Sequence, residues 1–275
     1  MRGDPARFSL NAGTVPDLDL PGLLQAADSL GMPAVALSRA LLDGRPLPES
    51  VRLLQRSGLA VSSLARGGSF TETDPARRRA AREDNRRALE QTAEIGAPTL
   101  VVVAGGMNGT PLADARARAA DGLAELGAEA AALGVRISLE PLHPMVADAR
   151  SVVVTLALAN DLVADLPDHV GIAWDAFHLW WDPRLAVETA RAADRIHTVQ
   201  VADWIGVPDG VMQSRGMPGE GCIDFGDLLA LTQGAGYQGF VEIEVFSRRW
   251  REAGTAATIE AVRRSLRDVL GFRPA

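Results

Sequence analysis

Apolar residues along this chain fall into short runs rich in Val and Ile, separated by longer stretches in which apolar and charged positions alternate with helical spacing. The runs at residues 8–11, 34–37, 59–64, 99–104, 135–140, 170–175, 196–201 and 240–244 are too short for helices. They are bounded by Gly, Pro or Asp, which predicts strands. The stretches between and after them, 18–30, 48–57, 75–95, 112–133, 151–164, 185–193, 225–233 and 255–270, predict helices, with Gly96 and Gly134 where C-caps belong. Eight strands and eight helices in strict β-then-α order predict a closed parallel (β/α)8 TIM barrel, one domain spanning residues 1–275. A doubly wound open sheet would need a Gly-rich phosphate turn after the first strand. The sequence NAGTVPD at that point does not supply one.

Composition narrows the chemistry. A chain of 275 residues fits one barrel of the usual ~250 residues. No run approaches the ~18 apolar residues of a membrane span. The opening MRGDPARFSL lacks an apolar signal region, and Cys222 is the single cysteine, so no intrachain disulfide is expected and a cytoplasmic location is. Every basic residue is Arg. With no Lys, Schiff-base catalysis is closed to this chain. The net charge of −7 argues against a nucleic-acid partner, which requires a basic surface. The arginines between residues 76 and 87 are interleaved with Glu83 and Asp84, the pattern of a solvated helix face.

Four of the later strands end in an oxygen-bearing side chain: Glu140 in VRISLEP, Asp175 in VGIAWDAFH, Gln200 in IHTVQVAD and Glu244 in FVEIEVFS. The C-terminal strand ends of a parallel barrel converge on one mouth, so these four can meet. Carboxylates gathered there repel one another unless a cation neutralises them. Three carboxylates and an amide oxygen are hard ligands, suited to one Mn2+ or Mg2+, with Co2+ or Zn2+ as substitutes. Glu242 shares a strand face with Glu244, which leaves open which of the two is the ligand. His143 and His178 each stand three residues after a presumed ligand and are candidates for touching substrate, whereas His197 has the opposite parity to Gln200 and should face the helices. Two Gly-rich loops, residues 104–111 and 203–223, follow strands and lie at the same mouth. The second carries Arg215, whose forked donors suit a carbonyl, carboxylate or phosphate. Trp181 and Trp204 read as residues lining a sugar site, and Trp174 as pointing away from it.

The succession of Glu140, Asp175 with His178 three residues on, Gln200 with Asp203 three residues on, the PGEG of residues 218–221 and Glu244 resembles the sugar phosphate isomerase and epimerase family, the xylose-isomerase-like barrels, over nearly the whole chain. The resemblance implies metal ligands on strands five to eight at Glu140, Asp175, Gln200 and Glu244. The family's usual ligand at position 200 is His; the Gln here also occurs in the related 3-dehydroshikimate dehydratases. It further implies Glu140 and Glu244 as the acid/base pair on opposite faces of the substrate, His178 and Arg215 beside the substrate oxygens, and barrels that pair as homo-oligomers.

A bound Lewis acid stabilises the enediolate common to isomerisation, epimerisation and β-elimination. The expected function is therefore a divalent-metal-dependent isomerase or epimerase of a small polyhydroxylated carbonyl compound, a keto-sugar or cyclitol. The alternative is a lyase or dehydratase using the same enolate. Lacking Lys and a Gly-rich turn opening a late helix, the chain shows no phosphate cradle, so an unphosphorylated substrate is expected. A sugar-binding barrel without activity would be expected to lose a ligand. The abasic-site endonucleases of this fold need a trinuclear zinc cluster with more His than the four present.

Overall fold

The computed structural model describes residues 7–271; the first six residues, part of the opening stretch read above for a signal region, and residues 272–275 lie outside it. In chain order the strands are β1 (Phe8–Asn11), β2 (Ala34–Ser38), β3 (Ala60–Gly68), β4 (Thr99–Val103), β5 (Arg136–Leu139), β6 (Val170–Asp175), β7 (Ile196–Val201), β8 (Asp203–Trp204), β9 (Arg215–Gly216) and β10 (Val241–Ile243). Strands β1 to β7 and β10 are all parallel and close into a barrel in the order β1-β10-β7-β6-β5-β4-β3-β2, while β8 and β9 form a separate antiparallel ribbon. The helices are α1 (Leu20–Ser29), α2 (Ala40–Asp43), α3 (Leu47–Ser57), α4 (Pro75–Glu94), α5 (Leu112–Leu133), α6 (Leu156–Val163), α7 (Ala176–Leu179), α8 (Leu185–Ala192), α9 (Phe225–Gly234), α10 (Arg248–Ala253) and α11 (Thr255–Asp268). Among the described residues no helix is long and apolar enough to cross a membrane.

The alternation predicted from the apolar runs is the observed one, and three differences have local causes. The helix expected from residue 151 starts at Leu156. Before it, Val152 donates its N–H to the Gly105 carbonyl and Ser151 Oγ engages the backbone of Val153, holding the segment extended until Thr155 caps the helix through Leu158 N–H. Strand β3 runs to Gly68, well past the expected end at Leu64, because Leu64–Gly68 continues to pair with β4. The short helices α2, α7 and α10 and the β8–β9 ribbon belong to connections that carry no periodicity to read. The arginine-rich α4 is solvated as expected, with Arg82 and Arg86 paired to Glu125 and Glu129 on α5.

Outward-facing strand residues pack against the helices: Trp174 is fully buried and its indole N–H donates to Thr189 Oγ1 on α8. The barrel interior is partly polar. Ser62, Ser63 and Thr198 donate to Glu242 Oε1, and Asn11 and Gln200 to its Oε2.

His197 faces outward from β7, buried against the Ile137 carbonyl, where burial and then the charge of Arg136 lower its pKa to about 4. A histidine held neutral in the fold binds its proton more readily when unfolded. Stability is therefore complete above pH ~6.5, the unfolded pKa, and declines as pH falls towards about 4, by an amount on the order of 3 kcal/mol. Urea unfolding at pH 7 and pH 4.5 should show this loss in the native protein and a smaller one in His197→Gln. Equal losses in the two would remove His197 as its source.

Candidate active site

Strand register brings the expected ligands together. Gln200 is paired with Asp175 on one side and Glu242 on the other, Glu244 lies two residues beyond Glu242 on the same face, and Glu140 leaves the end of β5 with its N–H on the Val102 carbonyl. All are buried. The two candidates on the last strand separate clearly. Glu242 is fully enclosed, both of its oxygens saturated by five side-chain donors, whereas Glu244 lines a cavity of about 410 Å³ together with Glu140 and Arg215.

Arg215 is the centre of the cluster. It is 1 % exposed, although it lies in a loop. Its Nη1 donates to Asp175 Oδ2 at 2.7 Å and to Glu244 Oε2 at 2.9 Å, and the rings of Phe177 and Phe246 stand 4.7 and 5.2 Å from the guanidinium carbon. Three guanidinium groups, Arg215, Arg66 and Arg150, act on Glu140 through their charge. Burial, and then repulsion from Asp175, raise the Glu140 pKa to about 8. Burial likewise raises Asp175 and carries Glu244 well above the usual range, in both cases against the pull of Arg215.

His178 faces two donors. The backbone N–H of His143 donates to its Nδ1 at 3.1 Å, and Arg215 Nη2 lies 3.0 Å from its Nε2. Burial, and then the charge of Arg215, hold the ring neutral, its pKa well below the usual value. A neutral imidazole has one lone pair, and the amide takes it, so Nε2 carries the hydrogen. Nε2–H and Nη2–H therefore converge without an acceptor between them.

The donor set fits a divalent cation on two observations. Asp175 and Glu244 share one nitrogen of Arg215, and the buried Oε1 of Gln200 has no hydrogen-bond partner even though its Nε2 donates to Glu242 and Glu244. Ligand atoms of Glu140, Asp175 and His178 also lie within 4.8 Å of one another. The hydrogen on His178 Nε2, however, leaves that atom a donor, which favours Gln200 Oε1 as the fourth ligand. A cation there would share Asp175 Oδ2 and Glu244 Oε2 with Arg215.

Three expected substrate contacts are arranged differently. The ring of His143 stacks on Trp204, with centroids 4.8 Å apart, and meets Trp181 edge-on at 5.6 Å, while Trp181 Nε1 donates to the His178 carbonyl. The two tryptophans and His143 are not among the residues lining the cavity with Glu140 and Glu244. They buttress His178, whose position depends on the His143 amide. Sequence spacing gave their proximity but not the direction of the rings.

Asp203 has a role that its place in the motif did not reveal. Its two carboxylate oxygens accept the backbone N–H groups of Trp204, Gly219, Gly221 and Ile223, so this one buried side chain folds the loop that carries Arg215. Gly221 passes so close that a Cβ there would lie 2.2 Å from the Trp204 carbonyl oxygen and 2.6 Å from Asp203 Oδ1. Asp203→Asn keeps the shape but turns one oxygen into an amide donor facing N–H groups. It should cost about 3 kcal/mol of stability, from lost charge-assisted bonds and orphaned amides. Chemical denaturation checks this, and an unchanged midpoint would mean that the loop holds without Asp203.

Two cavity residues went unread in the sequence, Arg66 and Arg150. Arg66 stands on the part of β3 that lay beyond its expected end, and Arg150 is in the irregular stretch before α6. The only signal for Arg66 was its position just ahead of Gly67-Gly68 after an apolar strand.

A profile of the xylose isomerase-like TIM barrel family matches residues 24–267. None of the curated proteins matches the chain significantly in sequence. Among solved structures, a protein from Sinorhizobium meliloti is 34% identical with a TM-score of 0.92, the match covering 97% of this chain and 99% of that one. The IolI protein, crystallised with a bound zinc atom, is 20% identical with a TM-score of 0.83, covering 96% and 98% of the two chains. A 3-keto-D-glucoside 4-epimerase from E. coli is 24% identical with a TM-score of 0.76, covering 95% and 98%.

Proposed function

The chain belongs to the xylose isomerase-like TIM barrel family, and from that premise we propose that it is a divalent-metal-dependent isomerase or epimerase acting on a small polyhydroxylated carbonyl compound through an enediolate. The observation that supports the reading is the grouping of Glu140, Asp175, Gln200 and Glu244 at neighbouring strand ends, with Glu140 and Glu244 on the wall of one cavity and the buried Gln200 Oε1 without a partner. The cation would be held by these four residues and, when bound, would polarise the substrate carbonyl. Its identity, Mn2+ or Mg2+ by the hardness of the ligands, is part of the proposal.

The chain's own groups do the rest. Arg215, on the cavity wall, is placed to donate to a substrate oxygen, and His178, fully buried, stands behind it with Nε2 3.0 Å from Nη2. Phe177 and Phe246 hold the guanidinium between their faces and keep water from it. Glu140 and Glu244 both line the cavity, so each faces the space in which a carbon-bound proton would be taken or returned. A proton removed by one carboxylate and returned to the same carbon by the other inverts it; one returned to the carbonyl carbon, with the neighbouring hydroxyl proton passing to the former carbonyl oxygen, moves the carbonyl.

The test is proton exchange in deuterated water, followed by NMR, with Mn2+- or Mg2+-reconstituted protein and a panel of keto-sugars and keto-cyclitols. Deuterium at the carbon next to the carbonyl, with isomer formation, is expected. Loss of water or of an aglycone would reassign the protein to the lyases, and no exchange with any member would overturn the enediolate reading.

A further inference from the structure

Two guanidinium groups at the cavity have no partner. Arg66, on the C-terminal end of β3, and Arg150, in the connection from β5 to α6, both line the 410 Å³ cavity with Glu140, Arg215 and Glu244, and both also line an adjoining recess of about 100 Å³. Among the described residues neither side chain makes a hydrogen bond or an ion pair. The neighbouring acids are engaged elsewhere: Asp84 receives both arms of Arg39 at 2.7 and 2.9 Å, and Glu72 pairs with Arg77 at 3.3 Å. Arg66 keeps a solvent-exposed face and Arg150 is half-buried; the Arg66 pKa is lowered by partial burial and then by the charge of Arg150, against the pull of Glu140 and Asp84.

An arginine that snorkels to solvent needs no partner. A pair that shares a cavity wall is different, because its uncompensated field is strongest inside the cavity. An oxyanion there would relieve the repulsion and accept planar, forked hydrogen bonds.

We propose that Arg66 and Arg150 form an oxyanion subsite of the cavity, so that the substrate is an acidic polyhydroxylated carbonyl compound bearing a carboxylate or a phosphate. This rests on the reading of the cavity as the substrate site. Where the anion is a phosphate it departs from the expectation of an unphosphorylated substrate, which came from the missing Lys and Gly-rich turn; a guanidinium pair supplies the charge from a strand end and a loop instead.

The experiment compares three compounds of one carbon skeleton, D-fructose, D-fructuronate and D-fructose 6-phosphate, by calorimetric titration of the metal-reconstituted protein and of its Arg66→Gln, Arg150→Gln and doubly substituted forms. At least one anion should bind about ten-fold or more tightly than D-fructose, with the affinity falling as salt rises, and the preference should shrink to about three-fold or less in the double variant. Whichever anion binds more tightly identifies the group. D-Fructose binding as well as both anions, a preference that survives the double substitution, or no binding of either anion in the millimolar range overturns the proposal. A salt-dependent preference in the unsubstituted protein keeps the test decisive if the double variant does not fold. Because binding is read without turnover, an anion that binds but exchanges no proton supports the subsite and counts against the isomerase reading. Exchange confined to D-fructose does the reverse.

Discussion

Arg215→Ala should lower the stability of the metal-free protein by about 3–5 kcal/mol at neutral pH, the range found when one partner of a buried ion pair is removed. The guanidinium holds Asp175 and Glu244 at 2.7 and 2.9 Å, and it lowers the pKa of Glu140, Asp175 and Glu244 against their burial. Without it, all three carboxyl groups move further up. A carboxyl group whose folded pKa lies above its unfolded value leaves stability intact at low pH and erodes it as pH rises through the folded pKa. Native and variant proteins should lose stability in parallel up to about pH 8, the native Glu140 pKa, so the deficit of the variant should widen over the interval just above it. Denaturation in EDTA across that interval measures it. A divalent cation should then return more stability to the variant than to the native protein, since the vacated oxygens of Asp175 and Glu244 are free for it; saturation at ~100 times the dissociation constant contributes about 2.7 kcal/mol. If Mn2+ and Mg2+ stabilise neither protein, the carboxylates serve Arg215 alone.

Glu140→Gln separates catalysis from stability in the opposite sense. As a proton carrier Glu140 should contribute about 10²–10⁴-fold to kcat/KM, and its loss should also lower metal content. Stability of the metal-free protein should nevertheless improve above neutral pH. A side chain whose pKa is pushed up to about 8 by burial and by Asp175 is costly to ionise there, and a neutral amide avoids that cost. A fully active variant would remove Glu140 from the chemistry. A variant that is both inactive and less stable at pH 8 would make it a structural residue.

Much of this site was legible along the chain because the barrel reads out its own strand ends. Period-2 alternation and the βα order were enough to bring Glu140, Asp175, Gln200 and Glu244 to one mouth. They also sent His197 outward, where it meets the Ile137 carbonyl. What could not be read was direction within the irregular segments. Trp181 and Trp204 were near the site as expected, but their rings pack on His143 rather than along the Glu140–Glu244 cavity. Arg66 escaped notice because β3 continues to pair with β4 beyond its apolar run, and backbone pairing of that kind leaves no mark in side-chain polarity. The choice between Glu242 and Glu244 depended on who donates to whom. Donors from β1, β3 and β7 close around Glu242, and no single strand carries that information.

The loop bearing Arg215 is tied at its base, and its span is held at a few points, by Asp209 on Arg248, Val211 in the core and Ser214 beside Ser247. Asp203 grips the backbone from Trp204 to Ile223, β8 pairs with β9, and Arg215 N–H reaches the Phe246 carbonyl, so both ends are anchored before residues 205–214 contribute anything. Yet that span supplies Met212 and Gln213 to the cavity wall. For protein engineering it is an exchangeable cassette: its length and composition can be varied to reshape the outer wall while the charge cluster behind it keeps its registration. A library restricted to these ten positions would explore selectivity with little risk to the barrel.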